Sequence, residues 1–300
     1  MSRKLTDEKK NELALVANQI RQSIIEMLLE AGSGHTAGPL GMADIFTALY
    51  FHLLRHDPKK PDWDGRDRVV LSNGHICPVL YAAMGHAGYF PLKELATLRK
   101  FGSRLQGHPH REYLKSLETS SGPLGSGLSQ TVGMALADRI DNGNSSGKFF
   151  YCLMSDGELD TGNIWEGAML AGKEKLYNLI GIIDRNNIQI DGVTEDIMPL
   201  EPLRAKWEAW NWHVLEIDGH NFEEIVNAVE EAKTIFNKPT VIIAHTIAGK
   251  GVSFAERDYR WHGDPLGKKD VPGDPPKEDQ VRIALEELRT LQGKIKSEHQ

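Results

Sequence analysis

Three hundred residues can bury one generous α/β core or two small ones, and 40% hydrophobic with 26% charged residues is ordinary for a soluble globular protein. A formal charge of −7 with no basic block to offset it argues against nucleic acid as the main partner. Cys77 and Cys152 are too few and too differently placed for a disulfide framework, no apolar run reaches membrane-spanning length, and Met1-Ser2-Arg3-Lys4 leads into charged residues, so the expectation is a cytoplasmic chain with no membrane partner.

Thr6 followed by Asp7 and Glu8 predicts a helix start, and Leu13, Val16, Ala17, Ile20, Ile24, Met27 and Leu28 form the inner stripe of a long helix that ends before Gly32. Ser33 to Gly41 reads as a small-residue loop presenting His35, Met42 to Leu54 as a second helix, and Asp57 to Asp67 as a surface loop. Arg68 to Ser72 is a short buried strand with Asn73-Gly74-His75 at its carboxyl end, followed by a helix from Val79 to Gly85. Lys93 to Phe101 has a helical pattern, and Gly107-His108-Pro109 sets an imidazole in a tight loop. Ser121 to Gly127 then offers a backbone able to approach a ligand, with amides of the next helix, Leu128 to Ile140, open to an anion. Asp141 to Lys148 is a polar connector.

The centre of the chain is a β-α-β unit. Phe149 to Met154 and Asn178 to Ile183 are apolar runs of strand length, and Ile164 to Leu176 between them has helical spacing. Ser155-Asp156-Gly157-Glu158 follows the first strand and Asp184-Arg185-Asn186-Asn187-Ile188 the second, so oxygen-rich side chains fall at the carboxyl ends of parallel strands, where open α/β sheets bind ligands. Asp156 and Asn186 are hard donors that, side by side, can hold magnesium with water and phosphate oxygens completing its shell, while Gly157 leaves the backbone close enough to reach a pyrophosphate.

Beyond this unit the pattern predicts a helix over Leu203 to Trp210, a strand over His213 to Ile217, an Asn221-capped helix to Phe236, and a last parallel strand over Pro239 to Ala244 with Thr246 to Gly251 at its ligand end. Val271 to Glu278 looks like a linker, and Asp279 to Ile295 like an amphipathic helix carrying Ile283, Leu285, Leu288 and Leu291. The fold class is therefore a doubly wound, mostly parallel α/β sheet with helices on both faces, with one domain over residues 1–270 and a linker and C-terminal helix over 271–300. Four of the twelve histidines, His35, His75, His108 and His262, sit in Gly-rich or Gly-flanked loops that suit exposed imidazoles and proton transfer near neutral pH. None shows the ligand spacing of a zinc site.

Ser33-Gly34-His35, Leu71-Ser72-Asn73-Gly74-His75, Gly107-His108-Pro109, Gly122-Pro123-Leu124-Gly125, the Asp156-Gly157 to Asn186 unit, Lys250-Gly251-Val252-Ser253-Phe254 and Trp261-His262-Gly263 resemble, in order and approximate spacing, the cofactor-binding half of transketolase. The match covers about residues 10 to 270. It implies the thiamine diphosphate-binding fold and its pyrophosphate-binding domain. It further implies that Asp156, Asn186 and the main-chain carbonyl of Ile188 hold Mg2+, with Ca2+ or Mn2+ as substitutes, and that Gly157 reaches the diphosphate. By the same resemblance His75 and His262 contact the diphosphate side, Gly122 and Leu124 pack against the cofactor, and His35, His108 and His262 line a channel for sugar phosphates and move protons there. Glu166 would join a carboxylate-water network linking paired active sites. The implied reaction is transfer of a two-carbon ketol unit from a ketose phosphate to an aldose phosphate, as in the pentose phosphate pathway.

Three positions depart from the pattern. Ser155 stands where a glycine is usual, Thr161 where a glutamate reaches across the subunit interface, and His110 where an acid commonly follows His-Pro. A complete transketolase is much longer, and its second half carries the glutamate and aromatic pocket for the aminopyrimidine ring. The chain accordingly resembles the separately encoded N-terminal subunit of a split transketolase, active with a C-terminal partner in an α2β2 heterotetramer. Other readings are a subunit of a deoxyxylulose-phosphate synthase-like or 2-oxoacid dehydrogenase-like enzyme, or a non-catalytic cofactor-binding orphan; the His108 and His262 motifs suit polyhydroxylated sugars and weigh against the first two.

Overall fold

A computed structural model describes residues 5–143 and 146–290. Met1 to Lys4, part of the polar connector, and the predicted helical positions Leu291 and Ile295 lie outside the described residues. The first helix, α1 (Asp7–Ala31), starts with the Thr6 side chain accepting from the Lys9 amide and ends on Gly32 in the left-handed region (φ +69°). Then come α2 (Ala37–Gly41), α3 (Ala43–Ala48) and a π-type turn over Leu49–Leu53, so helix begins at Ala37 and not at the predicted Met42. The small residues there serve close packing: a Cβ on Gly38 would stand 2.8 Å from the Ile76 side chain, and one on Gly41 would stand 2.8 Å from the Ile247 carbonyl oxygen.

Strand β1 (Arg68–Leu71) and helix α4 (Cys77–Ala87) follow. Lys93 to Phe101 is not an α-helix; Leu92–Thr97 makes 3-10 turns and the chain then breaks at Arg99, which has φ +61°. Next come α5 (Ser126–Asn142), β2 (Phe150–Ser155), α6 (Gly162–Glu174) and β3 (Leu179–Arg185). A small hairpin, β4 (Ile188–Gln189) with β5 (Gly192–Val193), and the single-turn α7 (Thr194–Ile197) were not anticipated. The chain continues through α8 (Leu203–Ala209), β6 (His213–Asp218), α9 (Phe222–Ala232) and β7 (Thr240–His245) to α10 (Lys277–Thr290). Asn221 caps α9 as expected, but the helix stops short of Phe236, which is exposed.

Five parallel strands form the central sheet in the order β1-β2-β3-β7-β6. Alternate residues feed two cores. Tyr151, Leu153, Ile180, Ile182 and Ile242 join the one built with α1, α3, α4 and α9, whereas Phe150, Cys152, Met154, Ile183 and Ile243 join the one built with α5, α6 and α8. Burial on both faces explains why these strands read as continuous apolar runs. Helix α10 lies against α1, with Ala284 and Leu288 buried and the Asn18 amide donating to the Leu288 carbonyl at 2.9 Å.

Candidate functional site

The register pairs Ser155 with Asp184, so the turns leaving β2 and β3 stand side by side. Asp156, 1% exposed, accepts at Oδ1 from the Gly157 amide (2.8 Å) and at Oδ2 from the Asn187 amide (2.7 Å) and Arg185 Nη1 (3.2 Å). Burial raises its carboxyl above the ordinary range against the opposing pull of Arg185 and the two amides. Asn186 Nδ2 donates to Asp184 Oδ2 at 2.8 Å, and Asn186 Oδ1 accepts from the Ile188 amide at 3.0 Å, fixing the side-chain oxygen toward Ile188. Asp184 is pushed up to about 7 by burial, with the Asp156 charge adding to the shift while the Thr246 hydroxyl and Asn186 oppose it.

Three imidazoles converge from separate loops. The ring centroids of His35 and His75 are 4.8 Å apart, and those of His35 and His262, and of His75 and His262, are each 5.4 Å apart. These rings are half-buried, contrary to the expectation of exposure; only His108 is exposed. Burial pushes His35 down to about 4, helped by the charges of His262 and Arg99, and also lowers His75, His108 and His262. Neutral rings each keep one acceptor nitrogen for a hydroxyl proton.

A cavity of about 300 Å3 joins the two features. Asp156, Gly157, Asn186 and Ile188 line one side; His35, His75, His108 and His262 line another, with Gly122 and Leu124 between them. Glu166 is not among the lining residues, because it sits on the exposed face of α6. A larger cavity of about 600 Å3 shares Asn186 and Ile188 but lacks the imidazole trio and Asp156.

One expectation about backbone amides needs correction. The Gly157 N–H donates to its neighbour Asp156 while Gly157 lines the cavity, but the amides at the start of α5 are not open to an anion. Gly125 N–H donates to Glu158 Oε1 (2.6 Å) and Gly127 N–H to the Ser72 hydroxyl oxygen (3.1 Å), so protein groups already satisfy this helix end. Glu158, fully buried, also accepts from Ser72 (2.5 Å) and the Ser155 amide (3.2 Å) and thereby ties the ends of β1 and β2 to α5. Sequence reasoning missed this carboxylate and the role of Arg185. A charge beside a strand tip was the available signal.

The donors present fit a thiamine diphosphate-magnesium group. Asp156 Oδ1 and Asn186 Oδ1 each accept a single hydrogen bond and are hard oxygens, and His35 Nδ1 is buried within the lining without a hydrogen-bond partner among the described residues.

Comparison with known proteins bears on the same site. The family model described as "Transketolase, thiamine diphosphate binding domain" matches residues 13–275. The chain belongs to the transketolase family. It is 46% identical over 255 residues to the 6-deoxy-6-sulfo-D-fructose transketolase subunit SqwG of Clostridium sp. (strain MSTE9), covering 85% of this chain and 92% of that one. It is 39% identical to an apulose-4-phosphate transketolase subunit of Phocaeicola vulgatus, covering 93% of this chain and 96% of that one. The crystal structure of transketolase from Campylobacter jejuni superposes with a TM-score of 0.79 at 36% identity, covering 94% of this chain but 47% of that one. The chain thus spans nearly all of two transketolase subunits and about half of a transketolase of solved structure.

Against that family, Thr161 is used differently from a cross-interface carboxylate. Its hydroxyl donates to the Glu158 carbonyl at 2.9 Å, closing the turn into α6. His110 stacks obliquely on Tyr113, with ring centroids 4.7 Å apart, and does not line the cavity. Among the described residues no helix is long and apolar enough to cross a membrane.

Proposed function

We propose that this chain is the diphosphate-binding subunit of a split transketolase. It would transfer a two-carbon ketol unit from a ketose to an aldose, with thiamine diphosphate and Mg2+, only when joined to a C-terminal partner as two copies of each chain. The observation that carries this reading is the single cavity in which Asp156 and Asn186 face the His35-His75-His262 cluster. Asp156, Asn186 and the Ile188 carbonyl are the residues that would hold the metal, and Gly122 and Leu124 the surface against which the cofactor would pack. When bound, thiamine diphosphate supplies the carbon nucleophile and the electron sink for cleaving the donor.

The remaining work falls to the protein. His35, His108 and His262 hydrogen-bond substrate hydroxyls, and their depressed basicity leaves a neutral ring able to take a hydroxyl proton and return it. His75, more deeply set, holds the diphosphate side. Placement of the cofactor between unlike subunits excludes water from these groups. Two buried free thiols among the described residues suit a reducing cytosol as the compartment.

The relatives' named substrates, a 6-sulfo ketose and a 4-phosphorylated one, support a donor that carries a terminal anion. Mixing the purified chain with its C-terminal partner tests the reading, with xylulose 5-phosphate, 6-deoxy-6-sulfofructose and apulose 4-phosphate offered as donors to an aldose phosphate. Transfer is expected only when both chains, Mg2+ and thiamine diphosphate are present. A well-formed complex that transfers nothing from any of the three would support the non-catalytic alternative.

A further inference from the structure

We propose that Arg185 is a positioning residue that restricts Asp156 to coordination through one oxygen and thereby biases the site toward magnesium over calcium; this rests on the metal reading of Asp156 given above. The two carboxylate oxygens are unequally engaged. Oδ2 receives the Asn187 amide at 2.7 Å, Arg185 Nη1 at 3.2 Å and the Thr194 hydroxyl at 3.4 Å, which fills its accepting directions. Oδ1 receives only the Gly157 amide and keeps a lone pair.

Arg185 is held from both sides. It is the last residue of β3 and 3% exposed, and its Nη2 is gripped by Glu195 at 2.6 Å and Glu201 at 3.1 Å. A planar guanidinium fixed at both arms cannot swing off Asp156 without leaving its other partners. Magnesium takes a near-octahedral shell and commonly one oxygen per carboxylate, whereas calcium accepts six to eight ligands and readily takes a carboxylate through both oxygens. With Oδ2 occupied, Asp156 presents the arrangement that magnesium prefers. The positive charge of Arg185 opposes any cation, and to a similar extent for two divalent ions, so the ratio of their affinities isolates the geometric effect.

The test uses the complex of this chain with its C-terminal partner and reads thiamine diphosphate binding by titration calorimetry as Mg2+ or Ca2+ is varied, with no turnover involved. Arg185→Met is expected to move the ratio of half-saturating Mg2+ to half-saturating Ca2+ toward calcium by about tenfold, the scale on which residues outside the ligand shell act. Arg185→Lys, which keeps a donor near Oδ2, is expected to restore much of the wild-type ratio. A ratio in Arg185→Met equal to wild type overturns the proposal. Metal-dependent binding that survives Asp156→Ala would instead remove the metal reading beneath it. Should Arg185→Met fail to fold, the Glu195→Ala/Glu201→Ala double variant, which removes both acceptors of Arg185 Nη2 at partly exposed positions, decides by the same ratio: a shift toward calcium supports the clamp, and no shift overturns it.

Discussion

The Ser72 hydroxyl donates to the Glu158 carboxylate at 2.5 Å, and both side chains are fully buried. Ser72 closes β1 and Glu158 follows β2, so this bond joins two strand tips. The same carboxylate accepts the Gly125 and Ser155 amides, and the same hydroxyl oxygen accepts the Gly127 amide. Three donors on one carboxylate match an ionised group, and burial alone raises its pKa. Glu158→Gln turns an amide NH2 toward N–H donors and is expected to cost about 2 kcal/mol, with Ser72→Ala costing about 1 kcal/mol. Urea unfolding of both variants checks this. A Glu158→Gln midpoint at the wild-type value would mean that the carboxylate does not anchor these turns.

His35 gives the protein a pH dependence of definite sign. Its ring is pushed down to about 4 from the ordinary 6.5, chiefly by burial. Between those two values the unfolded chain binds a proton that the folded chain does not, so stability is intact above pH 6.5 and is lost as the pH falls toward 4. The contribution is about 3 kcal/mol across that window. His35→Asn should flatten the slope of stability against pH there, leaving the part that His75, His108 and His262 supply. Urea midpoints at a series of pH values measure it; parallel slopes for variant and wild type would refute a buried neutral ring at His35.

Local pattern carried the strands and the polar residues at their tips, and it failed where contacts are long-range. Strands β2, β3 and β7 are covered on both faces, so their apolar runs were continuous and legible, and Asp156 and Asn186 follow at once from where those runs stop. The histidines stood out because glycines flank them. Their convergence did not, since no period relates three separate loops. Glu158 was equally hidden: a glutamate after Asp-Gly normally faces water, and its burial depends on a serine 86 positions away. Helical spacing also placed Glu166 on α6 correctly while saying nothing about which face of that helix meets the cavity.

Arg21 shows the same limit, and it motivates the last prediction. It interrupts the apolar stripe of α1 and is wholly buried, with Nη1 and Nη2 bonded to the two oxygens of Asp44 at 3.0 and 2.6 Å and Nε donating to the Leu40 carbonyl. His220 Nδ1 bonds Asp44 Oδ2 at 2.7 Å, and His220 Nε2 accepts the Ile247 amide at 2.8 Å. Because Nε2 accepts, the ring's proton must lie on Nδ1, where it donates to Asp44. The chain of bonds runs from α1 through α3 to the loop after β7, beside the candidate site. Asp44→Asn removes the only carboxylate bonded to Arg21 among the described residues and leaves that guanidinium buried and uncompensated, at an expected cost of about 4 kcal/mol. His220→Ala keeps the Arg21-Asp44 pair and orphans one amide, so about 2 kcal/mol is expected. Urea unfolding of the two variants compares them directly. A loss for Asp44→Asn no larger than that for His220→Ala would mean that Asp44 serves mainly to hold the imidazole and that Arg21 finds its compensation in the Leu40 carbonyl.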